Sequence, residues 1–289
     1  MRDVRRLKVY RWFEDTFVAL APEPGTRPGF GAFEVGLLLV SAIALLVMWF
    51  PSHEASFLEL LRFLGLNRYG ADTYSPEAVD GLSHYEGAFP VRAHPFYPLV
   101  SLWYWVFCCV AGYVLVPVLY LRLCGRRLSD YCLGVQGFLD HASVYAGLCL
   151  VVLVLVIWAS AFPSFQEIYP FYPNCGRSYF DLVAWELGYG VQFVALEFFF
   201  RAFLLEGLRR SLGAGAVFVA VVPYCMLHFQ KTWLESVGSI VAGVVLGLMA
   251  MRFRSIWGGV LVHWFIAISM DIASLVRKGE FPPTDLHPF

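Results

Sequence analysis

Apolar residues in this chain run in long uninterrupted blocks and do not alternate with polar ones. Stretches of about 18 or more mostly apolar residues have the length of a bilayer-crossing helix. Seven are predicted: Phe30–Phe50, Pro98–Leu121, Ser143–Phe162, Leu182–Leu205, Ala214–Phe229, Ser236–Phe253 and Ile256–Val276. The fifth is short, and the preceding Ser211–Gly215 stretch is expected to add a turn. Val4–Leu20 mixes apolar residues with Arg5, Arg6, Lys8 and Arg11, the pattern of a helix lying in the membrane interface. A second amphipathic stretch, Phe57–Leu66, opens the long, otherwise polar segment Pro51–Pro95. No cleavable signal peptide is expected ahead of the first span.

Composition supports the same class. Apolar residues make up 59% of the 289 and charged ones 15%, against about 25% charged in a soluble domain. Mean hydropathy is +0.64. That surface needs lipid, so a soluble enzyme, a disordered tail and a fibrous repeat are all excluded. The net charge of −1 gives no reason to expect nucleic acid. Seven cysteines without CxxC spacing suggest neither a disulfide scaffold nor a zinc ribbon. The fold class expected is an all-α integral membrane protein of about seven transmembrane helices.

Lys and Arg set its orientation. With a cytoplasmic N-terminus, the basic arm, Arg122, Arg126 and Arg127, Arg209 and Arg210, and Arg252 and Arg254 all fall on the inner side. The outer segments carry fewer, spread over longer sequence, as the positive-inside rule requires. Two regions are expected: residues 1–140, with the interfacial helix, two spans and the long outer loop, and residues 141–289, with five spans joined mostly by short turns. His53, His84 and His94 in the outer loop match no common metal motif and are taken as surface residues.

The second region holds the intramembrane polar groups, which are costly enough to suggest function. Glu197 and Arg201 stand at i,i+4 on the fourth span and can neutralise each other, as a structural ion pair also would. His228 lies late on the fifth span and His263 on the seventh. Glu197 and His228 are almost equally far from the Leu212–Gly213 turn. His263 is nine residues past Arg254, roughly 13 Å by helical rise, and Glu197 twelve before Arg209, roughly 18 Å. The three are therefore expected at one depth. Glu186, eleven residues before Glu197, shares its face and could extend a polar path. Glu235 is expected to cap the sixth helix, and Asp271 to snorkel near a helix end. Ser239-x3-Gly243-x3-Gly247 reads as a close-packing face.

Three segments in order resemble the motifs of the CPBP intramembrane proteases, which include the CAAX-processing endopeptidases: Leu196-Glu197-Phe-Phe-Phe-Arg201 for EExxxR, Tyr224-Cys-Met-Leu-His228 for FxxxH, and His263-Trp-Phe-Ile-Ala267 for HxxxN. The Arg254–Gly259 run before the last histidine also looks familiar. The resemblance covers a core of about 181–275. It implies a bacterial cytoplasmic-membrane endopeptidase that cleaves a membrane-anchored or C-terminal tail substrate, and within the family it is compatible with the subgroup that removes C-terminal sorting tails. A glutamate-activated water would attack the peptide, a motif-two histidine would orient that water, and motif three would stabilise the oxyanion. On this reading Glu197, His228 and His263 are catalytic, Arg201, Glu235, Asp271 and Glu186 supporting, and no metal is expected, zinc being the alternative the Glu and His ligands allow. Leu196 replaces the first glutamate and Ala267 the asparagine. A modest helix rotation would let Glu197 serve as base, with Glu235 or Asp271 compensating. A non-catalytic membrane scaffold on the same fold is the competing expectation, and a transporter a distant third.

Overall fold

The computed structural model describes residues 8–20, 30–66 and 94–281. Residues 4–7 of the expected interfacial helix, most of the outer loop and His84 lie outside them. Regular structure among the described residues is helical, save one antiparallel bridge between Leu133 and Ser255. The principal helices are α1 (Lys8–Ala19), α2 (Ala32–Trp49), α3 (Glu54–Phe63), α4 (Tyr97–Leu123), α5 (Ala142–Ala159), α6 (179–212), α7 (Ala216–Met226), α8 (Trp233–Phe253) and α9 (Trp257–Lys278). This is an all-α membrane protein. By length and composition α2, α4, α5, α8 and α9 can cross a bilayer. The exposed faces suit lipid: on α5, Leu150, Val151, Val154 and Leu155 all point outward.

The fourth and fifth expected spans take a different form. Helix α6 is far longer than the apolar stretch that announced it. Ser178 caps it by accepting the Asp181 N–H at 3.1 Å, and Arg177 grips the Asp181 carboxylate through two nitrogens, at 2.9 and 2.7 Å. From Phe198 to Leu205 the helix widens to i→i+5 hydrogen bonding, and all eight residues there are buried. A segment apolar on every side except at Arg201 belongs at the centre of a bundle. Phe199, Phe200 and Phe203 pack there with Tyr113, which itself lies in a matching wide turn of α4 at Ala111–Leu115. Helix α7 has only 11 residues. It contains Pro223, and beyond Met226 the chain turns through hydrogen bonds from His228 N to Cys225 O and from Lys231 N to His228 O. His228 therefore sits in the turn after the helix.

The small-residue face of α8 packs as expected. A Cβ at Gly243 would come within 2.8 Å of Val221 and 3.1 Å of Tyr224, and one at Gly247 within 3.1 Å of Val217. These contacts bring α7 and α8 together as a tight antiparallel pair, which places Tyr224 and His228 relative to α6.

The opposite end of the bundle is tied by polar contacts. Arg254 ends α8 in the left-handed region, φ 55°, forms an ion pair with Glu206 and donates to Asp130 O at 2.8 Å. Trp257 Nε1 donates to Leu133 O at 2.9 Å. These bonds set the start of α9, and so the azimuth of His263. The interfacial segment docks here too: Arg252 donates to Thr16 Oγ1 at 3.0 Å, and Ala214 N to Leu20 O at 2.8 Å. The amphipathic outer stretch forms α3, whose Phe57 stacks on Tyr97 and Tyr104 of α4.

Candidate active site

Where α6 meets α9, Glu197 is fully buried. Its Oε1 lies 3.1 Å from His263 Nε2 and 3.7 Å from Arg201 Nη2. Neither carboxylate oxygen has a hydrogen bond in line, so both contacts are close approaches without hydrogen-bond alignment. The room comes from a glycine. A Cβ at Gly259, one turn before His263, would overlap the Glu197 carboxylate. Gly258 likewise accepts the ring of Tyr145, whose buried hydroxyl has no hydrogen-bond partner.

Arg201, only 1% exposed, supplies the countercharge. Its guanidinium also stands over the Tyr224 ring, Cζ 4.9 Å from the centroid, a cation–π contact that strengthens when desolvated. Burying two charges costs several kcal/mol per ion, which their attraction offsets only with good supporting contacts; the Tyr224 face is one.

Tyr224 links the rest. Its hydroxyl is 3.3 Å from His263 Nε2. Its backbone oxygen is 3.0 Å from His228 Nδ1. That carbonyl requires a proton on Nδ1, leaving Nε2 of a neutral His228 as an acceptor. His263 Nε2 faces an acceptor and a hydroxyl at once. Protonated, it donates to Glu197; bare, it accepts from Tyr224. The imidazole is held flat by Phe193, stacked at 5.5 Å and 10°.

Glu197, Arg201 and His263 thus come together, and His228 stands beside Tyr224, with ring centroids 5.0 Å apart. Leu196, at the position of the motif's first glutamate, is buried in the apolar cluster around Phe199 and Phe200. Ala267 is buried in a second apolar cluster that includes Trp185 and Tyr189. Tyr224 and Gly259 were not foreseen as site residues. The hydroxyl-bearing ring one turn before His228 was a visible signal for the first.

The remaining acidic groups gather elsewhere. Glu235 lies in the first turn of α8, where Thr232 caps the helix and donates to its carboxylate at 3.0 Å; Tyr169 also donates to it, at 2.7 Å. Asp271 does not snorkel. It is fully buried and accepts from Phe171 N and Trp185 Nε1, both at 3.0 Å. Glu186 is buried nearby. Lys231 lies over the rings of Phe171 and Tyr169, at 4.2 and 4.9 Å. Burial there pushes its ammonium below its usual pKa, against the pull of Glu235 and Asp271.

Residues 180–269 match a protein family described as type II CAAX prenyl endopeptidase Rce1-like. The match runs from the start of α6 into α9 and includes Glu197, Arg201, Tyr224, His228, Gly259 and His263. No curated protein and no solved structure matches the chain.

Proposed function

On the premise that α6 to α9 form a CAAX-protease-like core, we propose that the chain is an intramembrane endopeptidase whose general base is Glu197. The observation that carries this reading is the Glu197 carboxylate, fully buried, without a hydrogen bond in line, and 3.1 Å from His263 Nε2. A structural ion pair needs no second imidazole, no hydroxyl and no glycine cut to the shape of its carboxylate.

In the proposed reaction, water lies between Glu197 and the His228 side of Tyr224. Glu197 takes its proton as the oxygen attacks the peptide carbonyl, then passes that proton to the leaving nitrogen as the C–N bond breaks. A positioned base of this kind is worth about 10²–10⁴-fold. His263 and the Tyr224 hydroxyl donate to the developing oxyanion, so Tyr224 takes up the role left open by Ala267. Fixed donors in a water-poor site gain strength there. His228 orients the water through Nε2.

The substrate is a membrane-anchored protein or C-terminal tail that reaches the site within the bilayer. The N-terminus is cytoplasmic, α6 and α7 complete a seven-span bundle, and the membrane is a bacterial inner membrane. The chemistry needs no metal at Glu197 and the histidines.

The decisive comparison is cleavage of a membrane-anchored tail substrate by wild type, Glu197→Gln, His228→Ala and His263→Ala in proteoliposomes. Cleavage by wild type and loss in three folded variants is the expected result. Undiminished cleavage by Glu197→Gln removes it from the base role. Chelator inhibition that zinc reverses, together with loss of the bound metal in His228→Ala and His263→Ala, would place a metal in the reaction.

A second reading, a non-catalytic scaffold, is favoured by one observation: Leu196 and Ala267 are both turned into apolar packing. It predicts a wild type that cleaves nothing yet retains the tail segment as tightly as Glu197→Gln does.

A further inference from the structure

About eleven residues up α6 from Glu197, a second buried cluster has no part in the proposed reaction. One ligating atom from each of Cys175, Glu186 and Asp271 lies within 4.8 Å of the others, and all three residues are buried. They come from three elements: the 167–178 loop, α6 and α9. Glu186 is 8% exposed, and no amide, hydroxyl or cation donates to either buried carboxylate oxygen; its close neighbour is the Asp271 carboxylate, and a proton shared between the two neutralises one charge where a bound cation neutralises both. Leaving a buried carboxylate unpaired is costly, and a second carboxylate beside it adds repulsion. Lys231, whose charge acts on Asp271, does not cure this: its Nζ makes no hydrogen bond and is held over aromatic rings.

We propose that Cys175, Glu186 and Asp271 bind a divalent transition-metal ion, zinc by preference, which fastens the 167–178 loop to α6 and α9. The donor set favours that ion. A thiolate selects Zn²⁺ over Mg²⁺ or Ca²⁺, and two carboxylates complete three of four positions, with water or a backbone oxygen as the fourth. Bonds of about 2.0–2.3 Å to a tetrahedral ion bring donors to roughly 3.5 Å of each other. The observed spread of up to 4.8 Å closes by small side-chain rotations. Outer support is already in place, because the Phe171 amide and Trp185 indole donate to the two Asp271 oxygens and fix the carboxylate's direction. Binding releases the thiol proton of Cys175 to solvent. The ion is a positioning element: α6 and α9, which it joins, are the helices that carry Glu197 and His263.

The test is Co²⁺ titration of the chelator-stripped full chain in detergent, read by absorption. One equivalent should bind with a thiolate-to-cobalt charge-transfer band, and Zn²⁺ should displace it. Cys175→Ser should abolish the band. Glu186→Gln and Asp271→Asn should weaken binding at least tenfold, while His228→Ala and His263→Ala leave it unchanged. Absence of the band in wild type, its persistence in Cys175→Ser, or its loss in the histidine variants overturns the proposal. If Cys175→Ser does not fold, unchanged affinity in Glu186→Gln does so alone.

Discussion

The Nε2 atom of His263 stands 3.1 Å from Oε1 of Glu197, across the contact between two helices, although the two residues lie more than sixty positions apart in the chain. Such a pairing needs both helices fixed in rotation. The α9 side is set by the Arg254 and Trp257 bonds to 130–133, and the α6 side by its buried phenylalanines.

The Arg201 charge should matter for folding first. Arg201→Ala leaves Glu197 buried against no countercharge and should cost about 3–5 kcal/mol, seen as lower folded yield and thermal stability in detergent. Combining it with Glu197→Gln should recover part of that loss. A double variant as unstable as the sum of both singles would show that the two side chains are not coupled.

Tyr224→Phe keeps the ring under Arg201 and removes only the hydroxyl 3.3 Å from His263 Nε2. A hydrogen bond to a charged group is worth about 1.5–3 kcal/mol, so kcat should fall roughly 10- to 100-fold while thermal stability barely changes. An unaltered kcat would take the hydroxyl out of oxyanion stabilisation.

A methyl group at residue 259 has nowhere to go but the space of the Glu197 carboxylate. Gly259→Ala should destabilise by about 1–3 kcal/mol, as overpacking does, and lower cleavage far more than that stability loss explains. Activity assays on folded protein at low temperature separate the two effects.

Leu196→Glu restores the family motif in letters only. The side chain is 7% exposed within an apolar cluster, so a carboxyl there should cost several kcal/mol and bring no gain in cleavage. A folded variant that cleaves faster than wild type would transfer the base role from Glu197 to residue 196.

Much of the fold is legible in the chain because lipid imposes it. The bounds expected for α2, α4, α5, α8 and α9 come within a few residues of those observed, since an apolar block ends where water begins. The Gly243–Gly247 face follows from helical spacing alone, and the Glu197–Arg201 pair from a spacing of four that still meets across the first widened turn. Tyr224 and Gly259 do not, because their importance depends on which face of one helix meets which face of another. The wide turns of α4 and α6 are invisible too: a stretch with one polar residue or none has no periodicity to betray extra residues per turn. Asp271 lies near a helix end in sequence and inside the protein in space, since the 167–178 loop folds over it.

Those eight residues from Phe198 to Leu205 carry a further consequence. A turn closed by i→i+5 bonds holds one residue more than an α-turn and can absorb an insertion or deletion without moving the flanking helix. Counting back from Arg201 therefore does not fix the direction in which a side chain leaves α6. Leu196 and Glu197 are neighbours in letters, and the widened segment that begins just after them is where the register of α6 can change. Relatives could keep the same carboxylate in the same place with a different number of residues between it and the arginine.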